Sequence, residues 1–509
     1  MAVAASKMGT PERLLATAGL MIATLMNSLD STIANVALPH IQGALSASQD
    51  QITWVLTSYI VATALMTPLT GWLSLRIGRK RLFLLSVAGF VAVSILCGIA
   101  TSLPEMVLFR LLQGIAGAAM MPISQAFVLD LWPQEIMPKV MAVWSAIIMV
   151  GPILGPTLGG LLTENYSWRW VFYINVPVGL GGFALVYLFL PRDDGGRRRP
   201  FDLLGFAALV LFTGAVQLVA DRGPTLDWFD SREICIEAVV AVCAFYVFVM
   251  QSLTAEHPFF DRGLFVDRNY SSSMIFMFFV AGMLFSTTAL LPSFMQNLLG
   301  YTALQSGLAS MYRGFGSLAA FAAVTELQRR IGARATIVIG LFVASSAMWL
   351  MSHFDLTMTA KPIMVAGFVQ GIGMGLMFGP LSVLGFATLP MAQRTEAAVF
   401  GNIVRSMAGS LGIATLQAVL IRQSAAAHEG LAARMSPSDP LISWALPSAF
   451  NGGGGLEALN AEVTRQGAMI GYDAIFAGMA VVSLLMLPLV LIMRPARPAP
   501  GQLAEAHAE

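Results

Sequence analysis

Two side chains that hydrocarbon disfavours sit inside apolar runs of this sequence. Arg110 interrupts LFRLLQGIAGAAMMPIS (Leu108–Ser124), and Asp30 interrupts LMNSLDSTIANVALP (Leu25–Pro39). A guanidinium is a permanent cation, whereas a carboxylate can take up and release a proton. At a bilayer centre either one costs on the order of 2.5 to 3.5 kcal/mol even on insertion scales, so each should face a protein interior. On a helix Asn27, Asp30, Ser31 and Ala34 recur at i, i+3, i+4 and i+7, and Gln113, Gly114 and Gly117 fall on the side of Arg110. The chemistry on offer is a proton site at Asp30 influenced by a fixed charge at Arg110. The structural alternatives are an aspartate that only accepts hydrogen bonds and an arginine held by backbone carbonyls.

Such residues must be positioned by membrane-spanning helices. Of 509 residues 57% are hydrophobic and 11% charged, with mean hydropathy +0.74, against roughly 25% charged in soluble domains. A net charge of +1 leaves no basic domain for nucleic acid. Cys97, Cys235 and Cys243 have no metal-ligand or disulfide spacing. No GxxxxGK[ST] or HExxH occurs, and the five histidines fall mostly in loops, so neither nucleotide hydrolysis nor zinc chemistry is expected and no cofactor is implied. Windows of about 20 apolar residues place fourteen spans, the first beginning near residue 14 and the last ending near 493. Alternating loops put nineteen basic residues on the side of the termini and seven on the other, so both termini are expected in the cytoplasm. The remaining three, Arg110, Arg313 and Arg405, lie inside spans.

The chain also repeats itself. LSLRIGRKR (Leu73–Arg81) is echoed by LQRRIGARA (Leu327–Ala335), with Gly78 and Gly332 254 residues apart, and Gln113-Gly114-Ile115 by Gln370-Gly371-Ile372 at an offset of 257. Gly367 then stands where Arg110 stands in the first copy. The match pairs span two with ten and four with twelve, which leaves spans seven and eight as an insertion between like halves, as in transporters with internal repeats. The expected divisions are a cytoplasmic N-terminus at 1–13, a six-helix bundle at 14–190, a linker with two inserted helices at 191–268, a second six-helix bundle at 269–493 with an outward loop at 422–471, and a cytoplasmic tail at 494–509.

GWLSLRIGRKRL resembles the loop between helices two and three of the major facilitator superfamily, LFRLLQGIAGAA its fourth-helix motif, and GPILGPTLGG (Gly151–Gly160) the fifth-helix motif of its antiporters. LDSTIANVALP and SWRWVFYINVPVG resemble its fourteen-helix drug/proton antiporter branch, of EmrB and QacA type. The resemblance implies an all-α integral membrane fold of two six-helix bundles plus two inserted helices in a bacterial inner membrane. It also implies efflux of hydrophobic or amphipathic compounds against protons, with Asp30 and Arg110 as the coupling pair. The implied partners are a periplasmic adaptor protein and an outer-membrane channel, with loop 422–471 as a candidate contact.

For the substrate cavity the expected residues are Asn27, Ser31, Gln113, Gln370, Asn402 and Arg405. For conformational gating they are Gly71, Arg76, Gly78 and Arg79 in the basic loop, together with Gly151, Pro152, Gly155, Pro156, Gly159 and Gly160. Small residues at near four-residue spacing favour close helix contact, and prolines remove backbone donors and favour bends. The basic loop departs from the usual pattern by carrying Leu75 in place of an acid. SSSMIFMFFVAGMLF in span nine offers a Met-rich, aromatic surface that suits varied apolar ligands. Asp130 and Asp473, near span ends, read as solvated or structural, and spans seven and eight are expected at the periphery, outside both six-helix bundles, with Asp221, Arg222, Asp227 and Asp230 in their connecting loop. An exporter dedicated to one metabolite and a non-transporting sensor or scaffold remain open readings of the same residues.

Overall fold

The computed structural model describes residues 9–47, 49–52, 54–133, 136–191, 200–223, 226–390, 393–435 and 455–493. The expected tail at 494–509, most of the N-terminus at 1–13 and the middle of loop 422–471 lie outside them. Among the described residues the regular elements are all helical. The main ones are α1 (Thr10–Ala44), α2 (Trp54–Met66), α3 (Leu69–Ile77), α4 (Arg79–Ile99), α5 (Leu103–Gly117), α6 (Met120–Leu131), α7 (Met137–Asn165) and α8 (Asn175–Phe189). They continue as α9 (Leu203–Arg222), α10 (Arg232–Thr254), α11 (Arg262–Val266), α12 (Arg268–Asn297), α13 (Ala303–Met351), α14 (Ala360–Phe386), α15 (Arg394–Ala432) and α16 (Gly455–Leu485).

Eleven helices are long and apolar enough to cross a membrane, and α2 with α3, bent by 57°, makes a twelfth crossing. The 49 residues of α13 would reach ~74 Å if straight, more than twice a hydrocarbon core of about 30 Å. At Gly332 φ is 82° and ψ 160°, which divides α13 into two helices. The 29-residue α7 is ~44 Å long, and counting it with both arms of α13 brings the described crossings to fourteen. Side-chain caps set several starts: the Ser102 hydroxyl accepts from Glu105 N–H, the Asp267 carboxylate from Tyr270 N–H, and Thr302 forms a capping box with Gln305.

The internal repeat is visible atom by atom. Gly78 (φ 90°, ψ 142°) separates α3 from α4 as Gly332 separates the arms of α13, both in a region that glycine adopts readily. On α2 the Thr63 hydroxyl donates to Tyr59 O (2.8 Å) and Gly114 O (3.3 Å). At the same offsets Ser317 donates to Arg313 O (3.2 Å) and Gly371 O (3.1 Å). A Cβ on Gly114 would lie 2.5 Å from Tyr59 O, and one on Gly371 1.9 Å from Arg313 O. Hydroxyl and glycine therefore seal the same helix crossing twice. Gly371→Ala is expected to cost about 3 kcal/mol or more, because rigid backbone stands where the methyl would go. Gly160→Ala, with nothing within 4 Å of its Cβ, should change stability by under ~0.5 kcal/mol. Thermal unfolding of the two purified variants checks the contrast.

The inserted pair only partly matches its expected place. The outer helix α10 packs on α9 and exposes Val239, Val242 and Tyr246. The inner helix α9 packs against α2 and α15 as well, so it wedges between the halves instead of lying outside both. Two polar residues in its last two turns explain this: buried Gln217 accepts from Ser410 of α15 (2.8 Å), and Asp221, exposed beside the last residue of α9 and not in a loop, accepts from Thr57 of α2. A buried polar side chain in an apolar helix must find such partners.

Candidate functional site

On α5 the residues Met106, Arg110, Gln113, Gly114 and Gly117 are buried while Leu108, Leu111, Leu112 and Ile115 are exposed, so the helix turns its polar stripe inward. Arg110 and Asp30 are both fully buried and paired, Arg110 Nη1 donating to Asp30 Oδ2 at 2.7 Å. Arg110 Nη1 also donates to Gln113 Oε1 (2.8 Å), its Nε to Val55 O (3.2 Å), and its guanidinium lies 4.2 Å from the centroid of the Tyr59 ring. Asp30 Oδ1 accepts from Gln113 Nε2 (3.0 Å) and Asn175 Nδ2 (2.7 Å). Both amides also donate to Ser94 Oγ, which donates to Phe172 O. The carboxylate therefore receives three donors from two helices besides its own. Breaking such a buried pair by removing one partner costs about 3 to 5 kcal/mol.

Asn175 and Ser94 were not among the residues expected here. Their signal was an amide and a hydroxyl within otherwise apolar spans, which a reading centred on charges passes over. The shared face expected for α1 also divides: Asp30 and Ala34 are buried within the bundle, while Ser31 is exposed and lines a cleft with Asn27.

That cleft runs between the halves and encloses ≈ 970 Å³ of empty space, open solvent included. Of the expected cavity residues Asn27, Ser31, Asn402 and Arg405 line it. Gln113 and Gln370 do not: both are fully buried, Gln113 in the ionic network and Gln370 donating to Thr287 Oγ1 (3.1 Å). Their amides face helices of their own half, where Asp30 and Ser94 accept from Gln113 and Thr287 from Gln370. From α9 come Thr213 and Gln217, which were expected outside the cleft. Arg405, bonded to Asn402 Oδ1 and the Met121 sulfur, also lines a second, apolar cleft with Met274, Met277, Leu284 and Phe285 of α12 and Phe378 of α14. Asn27 Nδ2 donates to the Tyr59 hydroxyl (3.2 Å), so one side chain joins the cleft wall to the ring that covers Arg110.

The fifth-helix glycines meet α1. A Cβ on Gly151 would lie 2.2 Å from Ser28 Oγ, and one on Gly155 2.2 Å from Thr32 Oγ1. Pro152 has no N–H to offer Ile148 O four residues earlier; the Ser28 hydroxyl donates to that carbonyl at 2.8 Å. Thr32 donates similarly to Gly151 O (3.2 Å). The motif thus locks α7 to α1, the helix that carries Asp30. Gly159 is buried, Gly160 faces open space, and the side chains of Pro152 and Pro156 lie outside the described residues.

The basic loop meets the opposite half. Arg79 Nη1 lies 2.8 Å from Asp130 Oδ2 and 3.4 Å from Thr395 Oγ1, and Arg394 Nη1 lies 3.4 Å from Asp130 Oδ1 and 3.1 Å from Leu129 O. Asp130, expected to be solvated or structural, is a buried bridge between halves, with 7% of its side chain exposed. Arg76 sits 5.0 Å from the Trp72 ring, and Gly71 faces Glu396 of α15, where a Cβ would be 3.9 Å from Cγ. Leu75 removes an acid from this loop, and the first turn of α15 carries Glu396 itself, where a negative charge favours a helix N-terminus. Asp130→Asn is expected to loosen this closure. Labelling of a Ser31→Cys reporter from the basic-loop side should rise about tenfold, the equivalent of one 1.4 kcal/mol step; unchanged labelling would contradict the bridge.

The arrangement provides a fully buried ion pair, an amide and ring linking it to a cleft between pseudo-symmetric halves, and a charged closure at one end. The family profile described as Major Facilitator Superfamily matches residues 20–413. The chain is 34% identical over 498 residues to the multidrug export protein EmrB of Escherichia coli (strain K12), covering 96% of this chain and 97% of that one. It is 32% identical to the fatty acid resistance protein FarB of Neisseria gonorrhoeae, covering 94% and 96%. Among solved structures the human organic anion transporter MFSD10 (TETRAN) superposes with a TM-score of 0.61 at 16% identity, covering 95% of this chain and all of that one.

Proposed function

The chain belongs to the major facilitator superfamily, and from that premise we propose that it exports hydrophobic and amphipathic organic compounds in exchange for protons. It is a multi-pass membrane transporter and not an enzyme. The multidrug activity named for its relatives supports the cargo class, and the family supports alternating access between two halves, read here as residues 14–190 and 269–493. The observation that carries the proton is the buried Asp30–Arg110 pair.

A proton on Asp30 removes the ion pair and turns one oxygen from acceptor to donor. All three neighbours of that carboxylate are donors, from Arg110, Gln113 and Asn175, so one of them must move or reorient. Arg110 keeps its charge throughout. Asn27, one helical turn before Asp30, sits in the cleft wall and bonds Tyr59, so displacement of α1 or α5 changes the cleft as protonation changes. Met274, Met277 and Phe285 suit cargo that varies in shape. Both termini are assigned to the cytoplasm from the basic loops.

A periplasmic adaptor and outer-membrane channel are the proposed partners. The flanks of loop 422–471 continue α15 and α16 as a helical pair, joined where His428 Nε2 meets Asn460 Oδ1 at 3.0 Å, and this protrusion is the surface assigned to the adaptor.

The test is efflux of a panel of fluorescent hydrophobic compounds from proteoliposomes under an imposed pH or sodium gradient. Several compounds moving under the pH gradient alone is the expected result. One compound alone would favour a dedicated exporter, and no substrate-dependent proton flux a sensor or scaffold.

A further inference from the structure

The offsets that relate the two halves also relate their buried polar groups. Gln113 donates to Asp30, and at an offset of 257 in both residues Gln370 donates to Thr287. Thr287 therefore holds the place of the carboxylate, and its hydroxyl donates to Met283 O (2.7 Å). Gly367 holds the place of Arg110, and at the offset of the second helix Arg313 holds the place of Tyr59, the ring stacked over that arginine. The second half has kept a cation at this crossing while moving it to the facing helix. A Cβ on Gly367 would lie 3.7 Å from Arg313 N and 3.9 Å from Arg313 Cβ, so the two positions adjoin.

What the second half lacks is the counter-charge. Arg313 is 5% exposed, its Nη1 has no hydrogen-bond partner, and no carboxylate pairs with it among the described residues. The Gln370 Oε1 atom is also unpartnered. An arginine does not readily lose its proton, and a desolvated guanidinium without an anion is strongly disfavoured. Ser317, one helical turn after Arg313 and bonded to its carbonyl, lines a cleft between α13 and α7 together with Gly314, and Arg313 itself is not in that lining.

We infer that the second half binds a small monovalent anion, of which chloride is the simplest, against Arg313, in the role that the Asp30 carboxylate fills for Arg110 in the first half. One half neutralises its cation with a titratable residue, the other with an exchangeable ion. The inference does not rest on the cargo or on proton coupling.

It is tested on the purified full chain by thermal unfolding at constant ionic strength, with chloride titrated against gluconate. Wild type should melt higher as chloride rises, by mass action on the folded state. In Arg313→Gln the half-saturating chloride concentration should rise at least about tenfold, as for loss of a charge-assisted contact. Thr287→Asp supplies the missing carboxylate, so it should melt higher than wild type without chloride and respond little to it. This second variant decides the matter if Arg313→Gln fails to fold. A wild type indifferent to chloride, or either variant keeping the wild-type titration, overturns the proposal.

Discussion

Asp30→Asn protein in proteoliposomes is expected to lose uphill efflux under a pH gradient while still equilibrating cargo downhill. The amide matches the carboxylate in size but cannot take up or release a proton, so no cycle can exchange charge at this site. The structure adds a consequence for stability. The carboxylate accepts from Arg110, Gln113 and Asn175, and an asparagine would present one oxygen and one donor to three donors. Arg110 would keep its charge without a counter-ion, at a cost of about 3 to 5 kcal/mol. Asp30→Asn combined with Arg110→Gln should recover most of that loss, because the pair is then removed as a unit, and it should not recover uphill efflux. Unfolding midpoints and cargo efflux for both single variants and the double variant separate coupling from folding. Uphill transport at the wild-type level in Asp30→Asn would falsify the assignment of the proton site.

The membrane crossings, the duplication and the buried charges could be read from residue types because hydrocarbon penalises every unpaired polar group. Arg110 and Asp30 had to face inward and find partners. Which neighbour a side chain meets depends on rotation about the helix and on helix spacing, and neither follows from periodicity alone. Asn27 and Asp30 share a 3.6-residue stripe, yet one faces the cleft and the other the bundle. Gln113 and Gln370 carry the residue type of a cavity wall and are instead buried against Asp30 and Thr287 of their own halves. Asp130 looked like a residue at a helix end, and its partner Arg394 is 264 positions away, a separation no local pattern encodes. For α9 the missed signal was Gln217, a buried amide in its last two turns needing a partner across the interface.

The asymmetry between halves yields the other large effect, a paired prediction at Arg110 and Gly367. Arg110→Lys keeps a cation but replaces a planar fork with a single ammonium. The guanidinium reaches Asp30, Gln113 and Val55 O at once and spreads under the Tyr59 ring. A shorter-reaching lysine cannot hold all of these, and when buried it can lose its proton, so the charge facing Asp30 ceases to be fixed. Uphill efflux is expected to fall by about 10²-fold or more, as for a misplaced catalytic group, with a changed pH profile and a smaller loss of folded protein. Gly367→Arg should be worse for folding. It brings a second guanidinium to a helix face already beside Arg313, where the position equivalent to Asp30 is Thr287, so two like charges would share a buried crossing without a carboxylate. Adding Thr287→Asp to Gly367→Arg should therefore restore part of the folded yield. Expression, cargo binding and pH-dependent efflux of these variants form the test. An Arg110→Lys protein that pumps with an unaltered pH profile, or a Gly367→Arg protein as stable as wild type, would mean that the charge arrangement is scaffolding and that the halves differ for another reason.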